Sequence, residues 1–412
     1  MNMPSSLRCA AAASLLVTLA SCGGYGDNNY YVYPVFTVPN SIAVADVNGD
    51  GVPDLLVATT LEQGFANNPG FANVILGQKT APYQTGVQYP ATGPDPSSIA
   101  VADLAGSGSL DMVMANFGSG SVTVFMHGAT AGTFQAGVDV ATGGVPNQVA
   151  VGSLSKNGLG NPDIAVADAS TSGNVIVLFH DPANPGKFLA PVMLPTNLTT
   201  SAVAIADING DGYPDIVAAA YDANGNNGAV VVFYQSATSP GTFAAPATFP
   251  AGAQPQAVRV ADVNGDGLPD LVVANLGPGT DSTGAAGVSV LLQDVANPGK
   301  FLAPVTYTTQ SGAVDVAVGA LTVAGKPDLV VANLGPAPSG SVSVLLHNPA
   351  SPGTFGAASN YSGFGQPLSV AIADLNGDGH PDIAVADGSS ATVMLQSASA
   401  PGTFAQPVQV GQ

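Results

Sequence analysis

The chain of 412 residues contains 51 Gly, 33 Pro and 27 acidic side chains but only seven Lys or Arg, which gives a formal net charge of −20. With so few cations it offers no basic surface to a phosphate backbone, and nucleic acid is therefore excluded as a partner. The helix formers Glu, Lys and Arg are scarce while Val, Thr, Gly and Pro abound, so the composition favours strands and tight turns.

Residues 1–21 are predicted to be an export signal. Arg8 precedes an apolar run at residues 10–20 that is too short to span a bilayer. The run ends in LASC, which resembles the bacterial lipobox, whose cysteine becomes the lipidated first residue of the mature chain. We therefore predict lipidation at Cys22, contact with membrane only through that lipid, and a location on the bacterial envelope, at the outer membrane or cell surface. The alternative is an ordinary secretory signal that leaves Cys22 unmodified.

A repeated unit follows a short tether. The stretch SIAVADVNGDGVPDLLVA recurs seven times at intervals of 50 to 58 residues. The position of its first aspartate is occupied by Asp46, Asp103, Ser153, Asp207, Asp262, Ala320 and Asp374. This spacing suits one four-stranded sheet per unit.

The strands are clearest in the fifth unit, where four apolar runs fall at residues 257–261, 271–274, 288–292 and 301–307. Short turns between them predict an antiparallel meander. The first strands alternate small with branched side chains, so we expect them to be buried on both faces.

Seven such units predict an all-β fold, a seven-bladed β-propeller of four-stranded antiparallel blades over residues 39–412. A linear solenoid is the alternative, but it would need polar terminal caps, and neither end supplies one. Residues 30–39 look like an additional outer strand. We therefore expect residues 22–38 to form a tether and possible ring-closing strand that shares the outer edge of the last blade with residues 404–410.

Four units carry an acidic loop, DVNGDGVPD at residues 46–54 and its equivalents at residues 207–215, 262–270 and 374–382. Oxygen donors at positions one, three, five and nine, with a backbone carbonyl at position seven, form a negatively charged cage suited to Ca²⁺. About four calcium sites are therefore predicted. The alternative is an Asx-rich turn without a metal. Flanking strands, and valine or alanine at position twelve, exclude EF-hands and dockerins.

The pattern AVADVNGDGxPDLVVAN, followed by GxVSVLL and PGTFAxPVxY, is similar to the FG-GAP or VCBS repeat family. That family forms the calcium-loaded propellers at the head of integrin α chains and in many bacterial surface proteins. The resemblance implies side-chain ligands at four residues of each complete loop: Asp46, Asn48, Asp50 and Asp54; Asp207, Asn209, Asp211 and Asp215; Asp262, Asn264, Asp266 and Asp270; Asp374, Asn376, Asp378 and Asp382. It implies carbonyl donors at Val52, Tyr213, Leu268 and His380.

Three units depart from the pattern. The second keeps Asp103 and Asp111 without the intervening ligands, so a fifth site there would be weak or empty. The third gains Lys156, and the sixth gains Lys326 and keeps only Asp328. We expect no calcium in these two, because a cation can replace the metal.

The sequence offers little for catalysis. His127, His180 and His347 end the third strand where other units have glutamine, which indicates a polar residue beside a turn. No nucleophile, zinc or phosphate-binding motif is present, so we predict a non-enzyme without catalytic residues.

Loops between the second and third strands, at residues 61–73, 222–228 and 277–287, are long and rich in Gly, Asn and Ser. With Tyr221 and Phe65 or Phe71 as anchors they suit recognition or adhesion to a protein or glycan, although unconstrained connectors look the same. The alternatives are a carbohydrate-active enzyme, since some polysaccharide lyases resemble this family, and a purely architectural envelope lipoprotein.

Overall fold

The structure, a computed structural model, describes residues 37–61, 69–78, 86–155, 161–225, 227–277, 287–323, 326–336 and 339–410. Within these ranges the chain forms seven four-stranded sheets, each built from four consecutive antiparallel strands. The predicted seven-bladed β-propeller is confirmed. No helix in the described ranges is long and apolar enough to cross a membrane. The predicted signal, Cys22 and residues 23–36 lie outside these ranges.

The strands, in chain order and four to a blade, are β1 Thr37–Ala45, β2 Asp54–Leu61, β3 Pro69–Ile75, β4 Val87–Pro94; β5 Pro96–Ala102, β6 Asp111–Asn116, β7 Ser121–Phe125, β8 Val138–Ala141; β9 Pro146–Gly152, β10 Asp163–Asp168, β11 Asn174–Leu178, β12 Val192–Pro195; β13 Thr199–Ala206, β14 Asp215–Tyr221, β15 Gly228–Phe233, β16 Ala247–Pro250; β17 Pro255–Ala261, β18 Asp270–Asn275, β19 Gly287–Leu291, β20 Val305–Thr308; β21 Ala313–Val323, β22 Lys326–Asn333, β23 Gly340–Leu345, β24 Ser359–Phe364; β25 Pro367–Ala373, β26 Asp382–Asp387, β27 Ser390–Met394, β28 Val408–Val410.

The first strands of neighbouring blades contact one another around the axis, and the fourth strands form the outer edge. Burial is greatest in the middle of each blade: β18 and β19 are buried at every residue, whereas β17 is only partly buried. The expectation that the first strands are buried on both faces was wrong. The starts of these strands line a cavity on the propeller axis, so this part of the blade is less covered than its middle.

Blades pack face to face through apolar clusters drawn from two neighbours. Four of these contacts include an edge-to-face aromatic pair, in which a ring from the fourth strand of one blade meets the phenylalanine after the third strand of the next. The pairs are Tyr89 with Phe134, Phe249 with Phe301, Tyr307 with Phe355, and Tyr361 with Phe404. Phe301 therefore lies before β20, not within it as the sequence suggested.

Each first strand contains a register shift near its start. One residue per blade is thereby left without a partner on the second strand, as expected of a β-bulge. We call these seven the bulge residues: Asn40, Ser97, Asn147, Ser201, Gln256, Val314 and Leu368. All seven line a cavity on the propeller axis. Proline precedes the bulge in five blades, consistent with its missing backbone donor.

Hydrogen bonds run from blade to blade around this axis. Asn40 Nδ2 donates to Pro96 O at 2.6 Å, and Asn147 Nδ2 donates to Ser201 O at 2.6 Å. Blades one and seven are also joined in this way: Ile42 N in blade one donates to Ser369 Oγ in blade seven at 3.3 Å. An apolar cluster joins the same two blades.

The expected sharing of the last outer edge is not seen in the described part of the chain. Residues 37–39 belong to β1, the inner strand of blade one, and β28 pairs with β27. Residues 30–36, which make up most of the suggested outer strand, lie outside the described ranges, so a ring-closing strand there stays a prediction.

Candidate metal centre and binding face

Each complete acidic loop connects the first and second strands of its blade. In blade one, Asp46 Oδ1 accepts from Gly49 N at 2.7 Å, and Asp46 Oδ2 accepts from Gly51 N at 2.8 Å. Asp50 Oδ1 accepts from Val52 N at 2.8 Å. Both glycines have positive φ, 77° and 81°, a conformation that favours glycine. The other three complete loops repeat this arrangement.

These loops bring the predicted ligands of positions one, three and five together. Asn48 Nδ2 donates to Asp50 Oδ2 at 3.1 Å, while Asn48 Oδ1 accepts from Asp50 N at 2.8 Å. Within the described ranges no three His, Cys, Asp or Glu side chains form a metal-holding group. The side-chain atoms available to a metal are nevertheless all oxygen. Asp46 Oδ1 accepts two hydrogen bonds, whereas Asp46 Oδ2, Asn48 Oδ1 and Asp50 Oδ1 each accept one and retain a lone pair, so the residues fit a hard cation such as Ca²⁺.

The aspartate at position nine behaves differently from the others because it is completely buried. Asp54 Oδ2 accepts from Val47 N at 2.9 Å, and Asp54 Oδ1 accepts from Gly77 N, at the end of the third strand, at 2.8 Å. Burial, followed in importance by nearby carboxylates, raises the pKa to about 6 at four of these residues, and their backbone hydrogen bonds only partly offset it. They are Asp54, Asp215, Asp270 and Asp382.

The same buried aspartate occurs in all seven blades, including the three with incomplete loops. In blade six, Asp328 accepts from Leu321 N and from His347 N. The residue therefore joins the turn after the first strand to the end of the third strand, whether or not the loop is complete. Sequence reasoning treated it only as a ligand. Its persistence in the third and sixth units indicated a structural role.

The incomplete loops differ from one another. In blade two, burial would raise the pKa of Asp103, but hydrogen bonds from Gly108 N and from the Ser107 backbone and side chain lower it overall. Lys156 lies outside the described ranges. Lys326 Nζ lies beside the acidic loop of blade five, 3.2 Å from the position a Cβ would take on Gly265.

The residue that ends the third strand varies with the loop. Histidine occupies this position in blades two, three and six, whose loops are incomplete, whereas glutamine occupies it in blades four, five and seven, whose loops are complete. His127 Nδ1 and His347 Nδ1 lie 2.9 and 2.8 Å from the buried Asp111 and Asp328 carboxylates. Gln293 instead joins Pro269 O and Gly299 N. The sequence interpretation of a polar residue beside a turn agrees with these contacts.

The acidic loops and the connections after the third strands share one face, since Gly132 N in blade two donates to Val47 O in blade one at 3.1 Å. The loops between second and third strands lie on the opposite face, with the axial cavity. Tyr221 ends β14, next to its loop. Phe71 lies within β3, paired with Thr59, and not in a loop as predicted. Phe65 and residues 278–286 lie outside the described ranges.

Comparison with known proteins agrees with this architecture. The FG-GAP-like repeat matches residues 156–218, 209–273 and 324–410, and the FG-GAP repeat matches residues 38–72. No curated protein matches the sequence. Among solved structures the chain is similar to Kuenenia stuttgartiensis hydrazine synthase, with 14% identity and a TM-score of 0.57 over 91% of this chain and 99% of that chain. It is also similar to BBS1N, solved in complex with ARL6DN and soaked with lead, with 11% identity and a TM-score of 0.54 over 90% and 96% of the two chains.

These two likenesses concern the fold alone. The repeat matches together span more than half of the sequence, and they fall on blades whose strands and loops follow the repeat. The chain belongs to the FG-GAP repeat family.

Proposed function

We propose that this protein is a calcium-stabilised recognition or adhesion module, without catalytic activity, that is attached to a bacterial envelope through a lipid on Cys22. It binds a protein or glycan with the face that carries the loops between second and third strands. The attachment rests on the LASC sequence at residues 19–22.

The exchange of histidine and glutamine carries the calcium proposal. A buried carboxylate needs a compensating charge or several donors. Blades two and six place an imidazole beside the position-nine aspartate, whereas blades four, five and seven, whose loops are complete, place a neutral glutamine at the same position, and blade one has Gly77 there. A divalent cation bound by the complete loop would compensate the buried carboxylate in blades that place no imidazole beside it. The complete loop and the imidazole contact therefore occur in different blades.

Calcium dependence is tested by thermal unfolding of the mature protein in calcium and in chelator. Binding to the folded state alone stabilises it by RT ln(1 + [L]/Kd) per site, so calcium should raise the melting temperature steeply. Asp266→Ala should remove one of about four sites seen by titration calorimetry, because it takes away a carboxylate at position five. Ser107→Ala, the matched change in the incomplete second loop, should leave the count unchanged. Identical melting curves in calcium and chelator would overturn the proposal.

Attachment and recognition need separate measurements. Radiolabelled palmitate should enter the wild-type chain in cells and not Cys22→Ser. Binding to arrays of glycans and envelope proteins should require calcium. Turnover of a polysaccharide by the purified protein would instead favour a carbohydrate-active enzyme.

A further inference from the structure

The axial cavity has a volume of about 530 Å³ and opens on the face that carries the loops between second and third strands. This volume lies within the range of small-molecule sites. Its walls are the bulge residues and the first strands, together with Phe117 from the loop after β6. Phe117 is 45% exposed, so an aromatic face lies at the edge of a polar cavity.

Arg259, which lines this cavity, differs from the residue that the other six blades have at the same repeat position. Arg259 occupies the position three residues before the acidic loop, where every other blade has alanine: Ala43, Ala100, Ala150, Ala204, Ala317 and Ala371. Apart from Arg8 in the predicted signal, Arg259 is the only arginine in the sequence. Its partner Asp315 replaces a residue that is serine in three blades, and Arg259 Nη2 donates to Asp315 Oδ1 at 2.6 Å.

Closing the ring does not require these two charges. Ser41, Ser98 and Ser369 occupy the Asp315 position in their blades, and each accepts the backbone N–H of the next blade with a neutral hydroxyl. Removing an ion pair from water costs free energy that its own attraction often only balances. A pair retained where serine and alanine suffice therefore indicates a role beyond stability.

Arg259 has capacity left for a ligand. Its side chain is 33% exposed, and only two of its five N–H groups have partners in the described part of the chain, Val258 O and Asp315 Oδ1. Gln148, which lines the cavity, uses its Oε1 to accept from Val203 N, which leaves its amide N–H groups as donors. Asn147 donates through Nδ2, which leaves its oxygen as an acceptor.

This mixture of donors and acceptors suits hydroxyl groups, which both donate and accept. The charge of Arg259 is balanced by Asp315, Asp95 lies at the same cavity, and the whole chain carries −20, so an anion is disfavoured. The exposed ring of Phe117 can cover the apolar face of a sugar ring.

We propose that the axial cavity binds a neutral sugar, either a free monosaccharide or the end of a glycan, with Arg259, Gln148 and Asn147 hydrogen-bonded to its hydroxyl groups. This inference rests on the recognition function proposed above and narrows its ligand and its position.

The test uses the mature protein in calcium, with glucose, galactose, mannose and N-acetylglucosamine as probes and galacturonate as the charged counterpart. Saturation-transfer NMR and titration calorimetry should detect at least one neutral sugar and weaker binding of galacturonate. The double variant Arg259→Ala/Asp315→Ser installs residues that other blades carry at these positions and leaves no unpaired charge. It should fold and bind the sugar at least about tenfold more weakly, the loss expected for one hydrogen bond to a charged group.

Lys300→Ala is the matched control, because it removes one positive charge from the outside of the ring, near Tyr234 and Phe249. Its sugar affinity should equal that of the wild type. Wild-type affinity in the double variant would overturn the inference. So would a wild type that binds none of the neutral sugars yet still binds a protein or an acidic glycan in calcium, and that result would leave the recognition function standing.

Discussion

Replacing Asp328 with alanine isolates the structural role of the position-nine aspartate, because blade six has no complete acidic loop. The carboxylate is fully buried and accepts from Leu321 N at 2.9 Å and from His347 N at 2.8 Å. Thr322 donates to it through both N and Oγ1. Each buried N–H left without an acceptor costs about 1–3 kcal/mol, so losing the Leu321 and His347 bonds should cost roughly 4 kcal/mol.

Guanidinium unfolding of purified variants measures this loss. Asp328→Asn keeps one acceptor oxygen and should lose about half as much stability as Asp328→Ala. Asp139→Ala, on the outer strand of blade two, removes hydrogen bonds from the hydroxyls of Thr92 and Thr123 but strands no backbone N–H, and it should cost only about 1 kcal/mol.

The calcium dependence of the loss is a second measurement. Asp328→Ala should lose the same amount in calcium and in chelator. Asp270→Ala, in blade five, should lose more in calcium, because it removes the same backbone bonds and a proposed ligand. A loss below about 1 kcal/mol for Asp328→Ala, or a loss that changes with calcium, would refute the reasoning.

Three further predictions concern charge and aromatic contacts. First, burial raises the pKa of Asp270 in the folded state from 3.8 to about 6, so the calcium-free folded state binds protons more tightly than the unfolded chain. The free energy of unfolding, measured in chelator, should therefore rise as the pH falls from 7 to 5. An unchanged free energy would contradict the shift. Second, Lys326→Gln removes an ammonium group beside the blade-five loop and should tighten calcium binding there by about two- to fivefold, measured by calorimetry against Asp266→Ala, which lacks that site. Third, Tyr361→Phe removes the hydroxyl that accepts from Phe404 N at 3.3 Å and should cost about 1 kcal/mol in thermal unfolding. Tyr307→Phe is the control, because its ring pairs with Phe355 as that of Tyr361 pairs with Phe404, and it should cost less. Equal losses would show that the hydroxyl contributes nothing.

The repeat made the architecture predictable. Period-two alternation and tight turns recur in every unit, so a strand that is ambiguous in one unit can be assigned from the other units. Complete acidic loops were equally visible, because positions one, three and five are adjacent in sequence and need no distant partner. The loop geometry around Asp46 and Asp50 depends on the positive φ of Gly49 and Gly51, and both glycines can be read from the sequence.

Features that depend on distant strands were not predictable in this way. The bulge at Asn40 is defined by its register against β2, and the partner of residues 37–39 is set by which sheet they join. The hydrogen bond that Asp54 accepts from Gly77 N joins residues 23 positions apart. Arg259 could have been identified as unusual from the sequence, because alignment of the units places it against six alanines. Its proposed role in binding became apparent only from its position at the axial cavity.

The noncovalent closure between blades one and seven also determines how the protein would respond to mechanical load. A pull on the N-terminal side reaches β1 first, and β1 is an inner strand bonded to Pro96 O in blade two and to Ser369 in blade seven. Withdrawing it would break the ring at two seams together, whereas withdrawing β28 would remove only an outer strand. Under tension applied through the proposed lipid on Cys22, the propeller should therefore resist as a whole and then fail in one cooperative step.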